Sequence, residues 1–289
     1  MKIHHLNCGS MCPIGQRMIN GEGGWLAPAH LCCHCLLIES RHGLVLVDTG
    51  LGTGDVRHPE RLGRPFRWLT RPVLRMEDTA VAQIEALGLD ARDVQHIVPT
   101  HLDLDHAGGL GDFPQALVHV FGRELNAAMH PSLTEKARYV PAQWAHGPRW
   151  AVKELAGERW LGLDAVRAVP GTDDEVLLVP LPGHTRGHCA VAVKSDTGWL
   201  LHAGDAYFHH LDLLDPGRAP WGLRVFQHIV QVNGALRLAN QQRLRELQSE
   251  HRNDLHIFCA HDPLELAHMQ ALGREALQRP GNRPFSTAA

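Results

Sequence analysis

THLDLDHAGG, residues Thr100 to Gly109, places four side chains able to hold a metal, His101, Asp103, Asp105 and His106, within six positions and ends on two glycines. The run that leads into it, VQHIVPT, is short, apolar and branched, which predicts a strand. The motif then falls on the loop at that strand's C-terminal end, where chemistry concentrates in layered α/β folds. Two aspartates and two imidazoles around a glycine pair would be an odd way to build a plain turn. The spacing points to a metal site.

The same arrangement recurs further along the chain. EVLLVPLPG is followed by His184, GWLLHAG by Asp205 and DLHIFCA by His261. Each polar group follows a buried apolar run, so a shared sheet edge would gather seven ligands: His101, Asp103, Asp105, His106, His184, Asp205 and His261. Seven are too many for one tetrahedral ion and suit two divalent ions sharing a bridging carboxylate, which predicts a dinuclear hydrolytic site.

Other segments fill in the layers. LCCHCLLIES and GLVLVDTG read as neighbouring strands joined by a turn near Arg41 to Gly43, with ALVHVF and CAVAVKS as further strands. EDTAVAQIEALG reads as a helix capped by Asp78 and ended by Gly88, with Val81, Ile84 and Leu87 on one face. A longer helical stretch around Val232 to Leu247 offers Leu236, Ala239, Leu244 and Leu247 as its buried stripe. Strands alternating with helices argue for an α/β layered domain.

With 289 residues and 44% hydrophobic content the chain can bury a substantial core. It reads as one domain over residues 1–289, with residues 280–289 a flexible tail. No run approaches the ~20 apolar residues of a membrane span, and MKIHHLNCGS lacks the apolar stretch of a secretory signal. A soluble cytoplasmic protein with no membrane partner is expected. A net charge of −3 gives no overall basic field for a nucleic-acid backbone, so the expected partner is a small-molecule substrate, with a homodimer left open. Seven cysteines without a secretion signal favour reduced thiols. The CCHC run, Cys32 to Cys35, is contiguous on a strand whose side chains alternate between faces, so it does not read as a zinc knuckle. Cys8 and Cys12 read as buried small residues, with a loop at the pocket mouth as the alternative. Roles around the site for His188, His209 and His210 stay open, and Trp144, Trp150 and Trp160 are candidates for a substrate wall or for core.

From Asp48 in LVLVDTG to His261 in FCAHD, this ordered set resembles the metallo-β-lactamase superfamily, whose signature is His-x-His-x-Asp-His followed by a separate His, an Asp and a final His. The resemblance implies a four-layer αβ/βα sandwich with the metals at one edge of two facing sheets. It implies a first metal on His101, Asp103 and His184, a second on Asp105, His106 and His261, and Asp205 as the bridge. Asp48 resembles the family's structural aspartate. LPGHTRGH and GDAYF look most like the lactonase branch, which opens acyl-homoserine lactones. Those lactonases place a tyrosine a few residues after the bridging aspartate, and Tyr207 lies close to that position.

The chemistry this implies is metal-assisted hydrolysis of a lactone or other activated ester. Two cations would bring the pKa of a shared water to roughly 7–9 and polarise the carbonyl, with Asp105 orienting the nucleophile and Tyr207 donating to the developing oxyanion. Zinc is the expected metal. Asp103 departs from the signature's second histidine: its added charge favours iron or manganese at the first site, and its shorter side chain would stop roughly 1 Å short of an imidazole's reach. Asp103→His is then expected to raise zinc occupancy at that site. The alternatives are a di-iron or mono-iron oxidoreductase of the same fold, a hydrolase of β-lactams, thioesters or phosphodiesters, and a non-catalytic binding module.

Overall fold

The computed structural model describes residues 1–173 and 175–278. The tail expected over residues 280–289 lies outside them. Thirteen strands are described, beginning with β1 (Lys2–Met11), β2 (Leu31–Ser40), β3 (Gly43–Val47), β4 (Pro72–Val73), β5 (Val94–Val98), β6 (Leu117–Phe121) and β7 (Arg149–Lys153). These seven form the first sheet in the order β4-β1-β2-β3-β5-β6-β7, antiparallel as far as β3 and parallel beyond it. The second sheet takes β8 (Glu158–Trp160), β9 (Leu163–Ala168), β10 (Val176–Pro180), β11 (Cys189–Ser195), β12 (Gly198–His202) and β13 (Leu255–Phe258). Its order is β13-β12-β11-β10-β9-β8, with only the β12–β13 pair parallel.

Side-chain alternation builds four layers from these two sheets. On β3, Val45 and Val47 point into the space between the sheets, while Leu44 and Leu46 point outward to the helix Ala80–Ala86. On β10, Val176 and Leu178 point inward to meet them, and Leu177 and Val179 pack outward with Leu244 and Leu247 of the helix Gly234–Glu250. Both faces of both sheets are therefore apolar, which is why the strand runs read as continuous hydrophobic stretches. The αβ/βα sandwich expected from the sequence is the fold observed. Among the described residues no helix is long and apolar enough to cross a membrane.

Two local expectations change. Thr79, not Asp78, caps the helix Ala80–Ala86 through its hydroxyl, which accepts from the Ala82 amide. Gly88 ends it at φ +78°, a left-handed conformation that glycine adopts without strain. On the helix Gly234–Glu250, Leu236 is exposed and Ala239 also faces out, whereas Arg237, Asn240 and Gln241 are buried beside Leu244 and Leu247. Their polar groups are matched: Arg237 donates to Gln227 and Gln231, Asn240 to the Pro182 carbonyl and Gln241 to the Ala206 carbonyl. A buried polar group so satisfied carries little penalty.

Candidate metal centre

Five strand ends meet at one edge of the sandwich. Asp48 follows β3, the His101 to His106 loop follows β5, His184 follows β10, Asp205 follows β12 and His261 follows β13. The two sheets are tied there by the Cys189 amide donating to the Thr100 carbonyl and the His34 amide to the Ala260 carbonyl, both at 2.9 Å. Gly108 closes the motif because a Cβ would collide with the Asp55 carboxylate and the Gly50 carbonyl.

All seven expected ligands converge, and their atoms fall into two groups that share one carboxylate. Around Asp205 Oδ2 stand His184 Nε2 at 3.4 Å and His101 Nε2 at 3.7 Å, with Asp103 Oδ2 3.0 Å from His184 Nε2 and 3.5 Å from His101 Nε2. Around Asp205 Oδ1 stand His261 Nε2 at 3.1 Å and His106 Nε2 at 3.3 Å. These two nitrogens are 3.4 Å apart, and Asp105 Oδ2 is 3.7 Å from His261 Nε2. A tetrahedral ion with arms of 2.0–2.1 Å separates its ligands by about 3.3–3.4 Å. Contacts within the two groups run from 3.0 to 3.7 Å, around that size. Asp103 Oδ2 reaches the ring nitrogens of both His101 and His184.

The outer contacts aim the imidazoles. His106 Nδ1 donates to Asp48 Oδ2 at 2.9 Å and His261 Nδ1 donates to the Cys32 carbonyl at 2.7 Å. His101 Nδ1 lies 2.9 Å from Thr100 Oγ1, whose own hydroxyl donates to Asp48 Oδ2. These contacts turn the Nε2 atoms of the three rings toward the cages, the arrangement that metal-binding histidines favour; His184 differs, its Nδ1 being buried without a partner and its Nε2 lying 3.2 Å from Arg138 Nη2. His188 is settled by its partners too: Nδ1 donates to the Leu181 carbonyl and Nε2 accepts the Asp205 amide, both at 2.9 Å, which positions the shared carboxylate.

Buried and without a hydrogen-bond partner, His101 Nε2 and Asp205 Oδ1 face these cages, one in each. Orphaned atoms of this kind call for an explanation, and a cation in each cage supplies it. The field agrees. Burial would raise the Asp205 carboxyl, but His261, His106 and His184 outweigh it and hold it well below the usual range. Burial would lower His106, but Asp205, Asp48 and Asp105 hold its imidazole well above the usual range. Carboxylates set among imidazoles in this way create a negative potential that suits a divalent cation. The residues fit divalent ions.

Four residues at the site carried no assigned role in the sequence reading. Arg138 places Nη2 3.0 Å from Asp103 Oδ2 and 3.2 Å from His184 Nε2, while Nη1 donates to the His184 carbonyl at 3.0 Å. Glu124, buried at the start of the helix Gly122–Met129, accepts four hydrogen bonds: Leu102 N and Tyr139 Oη on Oε1, Thr185 Oγ1 and Gly187 N on Oε2. It ties three loops of the site together. Phe208 stacks on His261 at 5.1 Å and meets His184 edge-on at 5.9 Å. Cys33, on the face of β2 turned to the site, brings Sγ within 4.8 Å of ligand atoms of Asp105 and His261.

Tyr207 is not at the centre. Its side chain is fully buried in the core behind the second sheet, and its hydroxyl donates to Glu265 Oε1 at 2.9 Å. The oxyanion role expected of it has no geometric basis; the next residue, Phe208, faces the ligands instead. Trp144 and Trp160 pack into the two outer cores and Trp150 against one of them, so none forms a substrate wall. Cys8 is buried as expected, whereas Cys12 is half-buried. The cluster of His209, His210 and Asp262 is a loop staple: Asp262 Oδ2 accepts from the His210 amide and imidazole, and Oδ1 from Leu264 and Glu265 at the start of the last helix.

Comparison with known proteins agrees with this geometry. The family described as the metallo-beta-lactamase superfamily matches residues 33–241. The probable metallo-hydrolase Rv2300c of Mycobacterium tuberculosis is 44% identical over 264 residues, covering 91% of this chain and 81% of that protein. The N-acyl homoserine lactonase AttM of Azorhizobium caulinodans is 35% identical over 214 residues, covering 72% of this chain and 77% of that one. A solved N-acyl homoserine lactone hydrolase, with N-hexanoyl-L-homoserine at its catalytic metal centre, superposes with a TM-score of 0.68 at 24% identity, covering 92% of this chain and 95% of that one. The chain belongs to the metallo-beta-lactamase superfamily. It is a metallo-hydrolase of that superfamily, with candidate metal-binding residues in place.

Proposed function

We propose that this metallo-hydrolase opens lactones or other activated esters that carry an apolar acyl chain, using two divalent ions held by His101, Asp103, His184 and Asp205 in one cage and by Asp105, His106, His261 and Asp205 in the other. The observation that carries the reading is the pair of tetrahedron-sized cages sharing Asp205 beside an exposed apolar helix face. When bound, such ions supply Lewis acidity toward a carbonyl and a water acidified to near-neutral pH. Asp105 keeps a slightly exposed carboxylate and, unlike Asp103, is not paired with an arginine, which leaves it in reach of the attacking water's proton. Phe208 covers the His261 and His184 rings and keeps bulk water from that side.

The acyl chain has a surface to lie on. The helix Trp221–Val230 exposes Trp221, Val225, Phe226 and Ile229, and Phe226 touches Phe208 at 5.8 Å. An apolar strip that begins at the ligands suits an aliphatic tail attached to the reacting ester. The lactonase relatives support this substrate class. Zinc is the metal proposed, because Arg138 offsets the charge that Asp103 adds and removes the main argument for iron.

The test is a panel of N-acyl homoserine lactones of short and long acyl chain, aryl esters, β-lactams, thioesters and phosphodiesters, assayed by proton release with zinc-loaded and manganese-loaded protein. Long-chain lactones should give the highest kcat/KM, and Asp105→Ala should abolish turnover while the protein stays folded. Loaded protein that ignores every lactone and ester, or prefers a phosphodiester, overturns the reading.

A further inference from the structure

We infer that Arg138 belongs to the metal centre as the charge partner of Asp103, so that the two residues together stand where a single neutral imidazole would. The inference rests on reading the cluster as a metal centre and adds to it the residue that sets the first cage's charge. Asp103, beside His101 and His184, joins Asp105 and Asp205 to bring three negative charges to the two cages, and Arg138 returns one positive charge 3.0 Å from Asp103 Oδ2. The balance is two negative charges, the same as for an imidazole at position 103 with no arginine nearby.

Placement makes the guanidinium a fixed part of the site. Arg138 is mostly covered, with 12% of its side chain exposed, and Nη1 is anchored on the His184 carbonyl. Its neighbours pin the segment that carries it. Tyr139 donates to Glu124, Gln143 donates to the Leu104 carbonyl inside the motif loop, and Glu135 pairs with Arg186 two residues after His184. The contact with the His184 carbonyl anchors the guanidinium independently of the Asp103 carboxylate.

That fixity reverses the effect expected of restoring the signature histidine. Asp103→His alone leaves an unpaired guanidinium beside an imidazole and a divalent cation, and the repulsion falls on the first cage. Arg138→Gln alone leaves Asp103 uncompensated, which strengthens the cage's hold on a cation. Charges a few ångströms apart in a mostly covered site act with an effective dielectric far below that of water, so each change should amount to about tenfold or more in affinity. The double variant, Asp103→His with Arg138→Gln, should return to near the starting value.

The experiment titrates chelator-stripped protein with zinc, and separately with manganese, by calorimetry, and counts bound ions by elemental analysis. It compares the wild type, Arg138→Gln, Arg138→Lys, Asp103→His and the double variant, with thermal melts of the metal-free forms to establish folding. The wild type should take two ions. Arg138→Gln should bind the weaker ion about tenfold or more tightly, Asp103→His about tenfold or more weakly, and the double variant and Arg138→Lys should lie within about threefold of wild type. Unchanged or weakened binding in Arg138→Gln, or a double variant no tighter than Asp103→His, overturns the inference. Should the glutamine variant fail to fold, Arg138→Lys decides: a tenfold change with the charge retained refutes charge compensation. A wild type that takes no divalent ion overturns the metal-centre reading itself, whereas two ions with a flat variant series overturns the role of Arg138 alone.

Discussion

Glu124→Gln tests how the site is held together, because the side chain keeps its shape and loses only acceptor capacity. The carboxylate receives the Leu102 amide at 2.9 Å and the Tyr139 hydroxyl at 3.2 Å on one oxygen, and the Thr185 hydroxyl at 2.6 Å and the Gly187 amide at 3.0 Å on the other. A glutamine must turn its NH2 toward one of these pairs. The hydroxyl in that pair can rotate and accept, but the backbone N–H cannot, so one amide of Leu102 or Gly187 is left facing another donor. An orphaned buried donor costs about 1–3 kcal/mol, and losing the charge from the remaining bonds adds about 1 kcal/mol. The variant should lose about 2–4 kcal/mol. At about 2–4 °C per kcal/mol for domains approaching this size, Tm of the metal-free protein should fall by roughly 4–16 °C. The three loops that Glu124 joins carry Asp103, Arg138 and His184, so the first cage should also lose metal in competition with a chelator before the second does. A melt within 2 °C of wild type, with metal retention unchanged, would refute the assignment of Glu124 as the joint between these loops.

Tyr207→Phe should keep turnover within about threefold, yet lower stability by about 1–2 kcal/mol in denaturant melts, because it removes only a donor to buried Glu265; a thousandfold loss of kcat would put the hydroxyl at the reacting atoms after all. Phe226→Asp should raise KM for long-chain lactones roughly five- to thirtyfold while leaving short-chain substrates nearly unaffected, and equal effects on both would remove the apolar strip from the binding site. His5 and His119 are pushed down to about 3, each by burial first and then by neighbouring charges, His202 and His4 for one and His96 and Lys153 for the other. Between an unfolded value near 6.5 and those folded values the unfolded chain binds more protons. Their contribution is therefore complete above about pH 6.5 and falls as pH drops toward 3, by up to about 1.4 kcal/mol per pH unit for each residue. Urea midpoints of metal-free protein at pH 7 and pH 5 should show the loss, and His119→Gln should flatten it; an unchanged slope would mean that His119 is not the proton acceptor.

The convergence of the seven candidate ligands could be read from the sequence because each sits just past an apolar strand run, and strand ends in a layered fold share an edge. Their order along the chain carried the rest. Arg138 and Glu124 left no such trace. Arg138 lies on an irregular segment, 35 positions from Asp103, and Glu124 looks like any acidic residue in the first turn of a helix. Only the three-dimensional path of the loops brings them in. Tyr207 and Phe208 differ by one position, yet the first packs in the core behind the second sheet and the second faces His184 and His261. Composition could not choose between them. On the helix Gly234–Glu250 only Leu244 and Leu247 of the expected stripe are buried, for a different reason: periodicity counts apolar residues, whereas here the stripe is completed by Arg237, Asn240 and Gln241 with their hydrogen bonds supplied by other segments.

The shared carboxylate explains why a charge change at position 103 needs a local answer. Asp205 gives Oδ2 to the cage containing Asp103 and Oδ1 to the cage containing Asp105, His106 and His261. An uncompensated carboxylate at 103 would add negative potential beside Asp205, the carboxylate that both cages share. The second cage would then hold a less acidic centre next to Asp105, although none of its own ligands had changed. Arg138 cancels the added charge within 3.0 Å of its source, before it reaches the bridge. The departure at Asp103 can thus be confined to the first cage, and the half of the site that contains Asp105 keeps the electrostatics of a centre with an imidazole at position 103.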